Sequence, residues 1–318
     1  RDLDISYDVT YDARREIMIT VGVSEGLDLA IRALVSPGDE VLIPEPSYVS
    51  YAPTTTLAGG VPVTMPTGVE NDFRLTAQDV EKSITPRTKV LLLCYPNNPT
   101  GAVLRRKDML EIAEVVRDHD LIVISDEIYD KLTYVDSHIC FPSLPGMQDR
   151  TVLLNGFSKA YAMTGWRVGY AASNPYFIEA MNKIHQYGIL CAPITAQMAA
   201  LEALKNGRDG MVRMVQQYNR RRHMVMQSFK EMGLHCFEPG GAFYAFPDIS
   251  STGFTSEEFA ERLLMEEKVA VVPGNAFGPS GEGFVRCSYA ASMEDLGEAF
   301  RRMTHLVRRQ GVYPKTVV

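Results

Sequence analysis

Short apolar runs separated by stretches of helical periodicity recur through the first two thirds of this 318-residue chain. Each run spans four or five residues and is apolar at most positions, as expected of a strand covered on both faces. Strands of this kind alternating with helices predict an α/β domain, in which helices flank a mostly parallel central sheet. The predicted strands are residues 17–21, 40–43, 90–94, 121–125, 151–154 and 168–172.

The pattern changes after about Asn206. A charged stretch over 209–232 predicts one long helix, and beyond it short apolar runs alternate with helical stretches at 256–267 and 293–309. This order predicts a smaller α+β domain. We therefore expect a large domain at 1–206 and a small C-terminal domain at 207–318.

Charge and hydropathy exclude two classes of partner. The chain has 32 Lys and Arg against 39 Asp and Glu, a net charge of −7, which disfavours nucleic-acid binding. The longest uncharged run, 46–69, is interrupted by prolines and is not a membrane helix. We expect neither a nucleic acid nor a membrane as partner.

The cysteines and histidines indicate neither disulfides nor metal. Five cysteines lie far apart, no pair has CxxC spacing, and the odd number is typical of reduced thiols in a cytoplasmic protein. The six histidines lack the spacing of metal ligands, so no metal site is predicted.

The strongest local signal is Lys159, which follows a predicted strand and a Gly-Phe-Ser turn. Such a lysine lies at the sheet edge where α/β proteins bind ligands, and desolvation there favours a neutral amine that can form a Schiff base. Arg167, eight residues later, could bind an anion at the same place. The alternative is a surface lysine with a structural arginine in a loop.

Two further polar groups follow predicted strands. Asp126 ends an apolar run, where a carboxylate needs a cation, and Tyr129 can direct a phenol to the same ligand. The alternative is an N-cap for a following helix. Asn98 lies between Pro96 and Pro99, which hold its amide in a rigid turn; the alternative is a surface turn.

The last two signals concern anions. Residues 22–26 join the first strand to a helix predicted from Leu27, with Ser24 as its N-cap, and backbone N–H groups there could bind phosphate. The segment does not match a nucleotide-binding pattern. Arg286 lies within a predicted strand, where a buried guanidinium should meet a carboxylate of the protein or of a substrate.

In this order, the motifs resemble those of the fold-type I aminotransferases that use pyridoxal 5'-phosphate (PLP). The similarity is greatest to the class I subgroup of aspartate, aromatic and N-acetyl-diaminopimelate aminotransferases. It runs from about Glu16 onward and includes PNNPTG, SDEIY, GFSKAYAMTGWRVGY, GGAFY and VAVVPGNAFG. It implies the PLP-dependent transferase fold with PLP in the large domain, a homodimer, and amino transfer from an L-amino acid to a 2-oxo acid, with 2-oxoglutarate as the expected acceptor.

The resemblance also implies residue roles. Lys159 holds the cofactor as a Schiff base and moves the proton, Asp126 pairs with the pyridine nitrogen, and Arg286 with Asn98 binds the substrate α-carboxylate. The other implied cofactor contacts are Tyr129 and Asn98 at the phenolic oxygen, Val23, Ser24 and Arg167 at the phosphate, and Tyr48 stacked on the ring. Separately from the resemblance, Phe243 and Tyr244 are expected in the core, bordering the site rather than contacting the substrate.

Two departures from the family pattern stand out. Gly156 occupies a position where related enzymes often carry a phosphate-binding serine, and Ser158 is the expected substitute. Family members also have a segment before Glu16 that this chain almost lacks, and the chain does not begin with Met. We therefore expect the native polypeptide to extend before Arg1, which intact mass spectrometry or the upstream reading frame tests.

Two other functions stay open at this point. A PLP-dependent β-lyase could use the same motifs, and a requirement for a 2-oxo acid during turnover would distinguish it. A transcription regulator with an aminotransferase-like sensor domain is the other alternative, and the upstream residues would distinguish that one.

Overall fold

The computed structural model describes residues 1–314, which contain a seven-stranded sheet in the order β1-β7-β6-β5-β4-β2-β3. Pairings from β3 through β2, β4 and β5 to β6 are parallel. β7 is antiparallel to both β6 and β1, so β1 runs with the parallel strands. The strands are β1 (Ile17–Thr20), β2 (Glu40–Glu45), β3 (Val61–Pro66), β4 (Thr88–Leu93), β5 (Ile122–Asp126), β6 (Thr151–Gly156) and β7 (Gly169–Ala172).

Helices cover both faces of this sheet. Along β4, Val90 and Leu92 pack in the core that contains Ile31 of α2, whereas Leu91 and Leu93 face the core that contains Ile112 of α5. This alternation explains why the strands are apolar at successive positions, and it confirms the predicted α/β class. The helices are α1 (Asp2–Tyr7), α2 (Gly22–Leu34), α3 (Tyr51–Leu57), α4 (Ala77–Ser83), α5 (Arg106–Asp118), α6 (Pro175–Gly188) and α7 (Ile194–Asn206).

The remainder of the described chain forms a second, smaller sheet with its own core. Its antiparallel order is β8-β10-β9, and Phe229, Phe259 and Phe300 lie fully or almost fully buried in that core. The separate core is consistent with the domain division near residue 206, which stays a prediction. The elements are α8 (Arg208–Met232), β8 (Tyr244–Ala245), α9 (Ser256–Glu267), β9 (Val272–Pro273), β10 (Val285–Ser288) and α10 (Met293–Arg309).

One strand was not predicted and one local expectation is wrong. β3 is absent from the predicted strands; it contains Pro62 and Pro66 and lies at the sheet edge, where proline is tolerated. Ser24 is not an N-cap, because α2 already begins at Gly22. The Glu25 carboxylate instead accepts the Val21 N–H at 2.5 Å, so the helix starts earlier and Ser24 lies in its first turn.

Within residues 1–314, no helix combines the length and the apolar character needed to span a membrane.

Candidate active site

The carboxyl ends of the parallel strands meet at one cavity of about 350 Å³. This volume lies within the range of roughly 300–1,000 Å³ that is typical of small-molecule sites. All ten candidate residues line the cavity, so Lys159 and Arg167 do not belong to the outer surface. The ten are Val23, Ser24, Tyr48, Asn98, Asp126, Tyr129, Ser158, Lys159, Arg167 and Arg286.

Asp126 supplies a buried carboxylate at the end of β5, only 6% exposed. The Tyr51 hydroxyl donates to its Oδ2 at 2.8 Å, and the Ile128 N–H donates to its Oδ1 at 3.2 Å. Burial raises the pKa of Asp126 to about 6, although these hydrogen bonds oppose the shift. A turn rather than a helix follows Asp126, so the N-cap alternative is wrong.

Lys159 lies in the loop after β6 and is partly buried. Its Nζ is 5.8 Å from the centre of the Tyr129 ring and 5.6 Å from that of Phe243. Burial and then the positive charge of Arg286 lower the pKa of Lys159, while Asp126 acts in the opposite direction. The amine is therefore neutral more often than that of an exposed lysine, as a nucleophile or a base requires.

Arg167 reaches the start of α2 because it precedes β7, whose amino end lies at the same sheet edge. Its Nη1 donates to the Thr164 carbonyl at 2.9 Å. Gly22 adopts a φ of +74°, and a Cβ there would lie 2.6 Å from Nη2 of Arg167. Glycine is thus required for the guanidinium to approach the helix N-terminus, where cation and backbone N–H groups together favour an anion.

Arg286 lies on β10 and faces the turn that follows β4. Its Nη1 donates to Oδ1 of Asn98 at 2.8 Å, and its buried Nε has no hydrogen-bond partner. Among the residues that the structure describes, neither Arg286 nor Arg167 forms an ion pair with a carboxylate. The cavity therefore holds two cations that are available to anionic groups of a ligand.

The two asparagines of the turn after β4 have different functions. Oδ1 of Asn97 accepts hydrogen bonds from the Thr100 hydroxyl at 2.8 Å and the Thr100 N–H at 3.1 Å, which closes the turn. Asn98 instead directs its amide oxygen to Arg286. The sequence prediction of a rigid turn that presents an amide agrees with this arrangement.

Gly156 shows why this chain carries no serine at that position. It pairs with Gly169 of β7, and a Cβ would lie 3.0 Å from the Gly169 Cα and 3.2 Å from Cγ2 of Val23. These distances leave little room for a side chain. Ser158 lines the cavity, as expected of the substitute, but its role toward a phosphate stays a prediction.

Several cavity residues were missed in the sequence. Tyr51 was not marked, although its position three residues after Tyr48 could have indicated it. Tyr244 was expected in the core bordering the site, and it is buried and lines the cavity; what the sequence did not indicate is its contact with Tyr129, 3.0 Å between hydroxyl oxygens. The other unmarked lining residues are Leu27, Cys94, Ile128 and Thr164.

The sequence from residue 5 to residue 303 matches the protein family described as aminotransferase class I and II. The chain belongs to this family. The protein is therefore an aminotransferase, an enzyme that transfers amino groups.

Individual relatives agree with this assignment. The putative aminotransferase YugH of Bacillus subtilis is 52% identical over 97% of this chain and 80% of its own. The aspartate aminotransferase of Pyrococcus abyssi is 48% identical over 94% of this chain and 78% of its own. The solved aromatic aminotransferase from Pyrococcus horikoshii OT3 is 45% identical, with a TM-score of 0.96 over 98% of this chain and 84% of that one. The aminotransferase fold predicted from the sequence is thus confirmed.

The raised pKa of Asp126 yields a prediction for the aminotransferase with its cavity empty of ligand. An acid with a higher pKa in the folded than in the unfolded chain makes the free energy of unfolding fall as the pH rises from about 4 to about 6. A shift of about two pH units corresponds to about 3 kcal/mol. We expect Asp126→Asn to be more stable than the wild type by about 1–2 kcal/mol at pH 8, because it removes the buried charge. The gain is smaller than about 3 kcal/mol because the amide has one acceptor oxygen fewer than the carboxylate.

Denaturant unfolding at pH 4 and pH 8 measures this difference, which should shrink at pH 4. Asp136→Asn is the matched control, because Asp136 is exposed. Equal effects of both substitutions at pH 8 would contradict the assignment of a buried, destabilising charge to Asp126.

Proposed function

We propose that the cavity binds PLP and that the enzyme transfers an amino group from an L-amino acid to a 2-oxo acid, with 2-oxoglutarate as acceptor. One observation carries the proposal. A single cavity combines a lysine of lowered pKa, a buried carboxylate, and two arginines without acidic partners among the described residues. This set fits a ligand with an aldehyde, a basic ring nitrogen and a phosphate, together with a substrate carboxylate.

The buried carboxylate fits the ring nitrogen of PLP. Asp126 receives hydrogen bonds only from Tyr51 and the Ile128 N–H in the described chain, and no arginine or lysine forms an ion pair with it. Its ionised form is therefore stabilised by a cation that a ligand brings into the cavity. A protonated pyridine nitrogen is such a cation.

Other residues of the cavity fit the phosphate, the aldehyde and the ring of the cofactor. Arg167 and the N-terminus of α2 fit the phosphate, since a cation and backbone N–H groups converge there. Lys159 fits the aldehyde, because its lowered pKa favours the neutral amine. We assign Val23, Ser24 and Ser158 to the phosphate, Tyr129 and Asn98 to the phenolic oxygen, and Tyr48 to the ring face.

Arg286 and Asn98 orient the substrate. A guanidinium binds a carboxylate through two parallel hydrogen bonds, and among the described residues Asn98 occupies only the Nη1 group of Arg286. Such a fork fixes the direction of the α-carbon relative to the carboxylate. Orientation of the Cα–H bond toward Lys159 lowers the barrier to proton removal.

Lys159 then moves the proton. In its neutral form, Nζ accepts the α-proton of the substrate and can return it to another carbon, acting as base and then as acid. Bound PLP supplies the electron sink for the electron pair left at the α-carbon. The negative charge of Asp126 keeps a proton on the ring nitrogen, and burial strengthens this interaction.

The β-lyase alternative has the same residue requirements. Amino transfer is favoured because the matched relatives are named aminotransferases. Aspartate, aromatic amino acids and N-acetyl-LL-diaminopimelate should be tested as donors with 2-oxoglutarate, following the formation of glutamate. Release of ammonia and an oxo acid without consumption of 2-oxoglutarate would instead establish the lyase.

We also propose that the enzyme is a homodimer, on the evidence of an apolar face on α7. Ile194, Met198 and Leu201 lie on one face of this helix and are 68%, 59% and 44% exposed. Leu190, just before the helix, is 73% exposed. A contiguous apolar surface of this kind is typical of a protein interface.

The proposed location is the cytoplasm. All five cysteines are free in the structure, and Cys94, Cys140 and Cys287 are buried. Reduced thiols are typical of proteins from a reducing compartment.

Lys159→Ala tests the proposed chemistry. We expect loss of all amino transfer and of the visible absorbance that a covalently attached cofactor gives, because alanine can neither form the bond nor accept a proton. Lys183→Ala, on the exposed surface of α6, is the control and should behave as the wild type. Normal turnover by Lys159→Ala would refute the mechanism.

Arg286→Lys tests the substrate clamp. A point charge replaces a planar fork, so KM for the amino acid should rise by about 5–150-fold, equivalent to roughly 1–3 kcal/mol for hydrogen bonds to charged groups. PLP binding, measured by absorbance titration, should be unchanged. Arg301→Lys on the exposed part of α10 is the control. An unaltered KM for every donor would exclude Arg286 as the clamp.

Met198→Glu tests the dimer. A charge placed in an apolar interface is costly to desolvate, so sedimentation should show a shift toward monomer. Met265→Glu is the control, since Met265 is 63% exposed on α9, a helix that packs in the core of the smaller sheet. If both variants sediment alike, the face of α7 is not the interface.

A further inference from the structure

Tyr244 connects the two halves of the proposed site. It lies on β8 and pairs with Ser288 of β10, so it belongs to the same small sheet as Arg286. Its side chain is 6% exposed and lines the cavity. The side chain contacts both Arg286 and Tyr129, which the proposed function assigns to the substrate carboxylate and to the cofactor.

The ring of Tyr244 supports the guanidinium of Arg286. The guanidinium carbon lies 4.5 Å from the centre of this ring and 4.8 Å from that of Phe277. Within the described chain, Asn98 gives Arg286 its only side-chain hydrogen bond. The two rings therefore hold a cation that no carboxylate of the protein neutralises, through cation–π attraction.

The hydroxyl of Tyr244 approaches that of Tyr129 at 3.0 Å. Each hydroxyl carries one proton, so Tyr129 can donate into the cavity and keep its hydrogen bond with Tyr244 only if Tyr244 is the donor in that bond. The positive charge of Arg286 makes Tyr244 the stronger donor of the two, because it favours loss of the Tyr244 proton. Burial raises the pKa of Tyr244, while its hydrogen bond with Tyr129 and then the charge of Arg286 oppose that shift; burial raises the pKa of Tyr129 well above its ordinary value.

We propose that Tyr244 is a positioning residue with two separable functions. Its ring holds the Arg286 clamp in place, and its hydroxyl donates to Tyr129 so that the Tyr129 proton points into the cavity. This inference rests on the proposed function, since it presumes PLP at Tyr129 and a substrate carboxylate at Arg286.

Two substitutions separate the two functions. Tyr244→Phe keeps the ring and removes the hydroxyl, whereas Tyr244→Met removes the aromatic face but largely fills the volume. The measurements are KM for the amino donor and the pH midpoint of the visible absorbance of the bound cofactor. The second measurement does not depend on turnover.

For Tyr244→Phe we expect KM within about twofold of the wild type, because the cation–π contact is retained. The pH midpoint should move upward by about 0.3–1 unit, since Tyr129 donates less strongly once its own donor is lost. For Tyr244→Met we expect the same change in midpoint together with a rise in KM of about 2–30-fold, the range of one such contact.

Tyr289→Phe is the matched control. Tyr289 is a buried tyrosine just beyond β10, and its hydroxyl donates to the Ala242 carbonyl at 3.4 Å, outside the set of residues that line the cavity. This variant should change neither measurement, and thermal unfolding of all three variants identifies any general loss of structure.

The possible outcomes are distinct. An unchanged midpoint in Tyr244→Phe would overturn the hydroxyl function, and an unchanged KM in Tyr244→Met would overturn the ring function. If the wild type shows no visible absorbance with PLP, the proposed function itself fails, independently of Tyr244.

Discussion

The carboxylate of Asp126 lies buried at the end of β5, where the Tyr51 hydroxyl and one backbone N–H reach it. Two neutral donors do not compensate a buried charge, which is why the pKa of Asp126 rises to about 6. A cation delivered by a ligand removes this penalty. The buried charge of Asp126 is therefore compensated when a cationic ligand fills the cavity.

The topology of the sheet brings the opposite charges to the same edge. Asn98, Asp126 and Lys159 follow three neighbouring parallel strands, and the reversed direction of β7 returns Arg167 to that edge. Arg286 enters from the smaller sheet. Neither arginine forms an ion pair with a carboxylate within the described chain, which favours ligands with two separate anionic groups.

The sequence predicted those site residues whose positions depend on the local order of strands and turns along the chain. A polar residue directly after a buried strand marks the sheet edge, so the sequence alone places Asp126 and Lys159 there. The contacts of Tyr51 with Asp126 and of Tyr244 with Tyr129 do not follow from the sequence, because they join residues 75 and 115 positions apart. The start of α2 was misplaced for a local reason. The side chain of Glu25, rather than that of Ser24, accepts the hydrogen bond from a free backbone N–H group, which is that of Val21.

The contact between Arg286 and Asn98 has a consequence for the energetics of the reaction. In the proposed function this pair binds the α-carboxylate, which an amino acid and its 2-oxo acid both carry, so it binds reactant and product about equally well. Such binding favours neither the amino acid nor the oxo acid in the cavity. The same clamp therefore serves both half-reactions, and the direction of net amino transfer follows the equilibrium constant and the concentrations of the four acids around the enzyme.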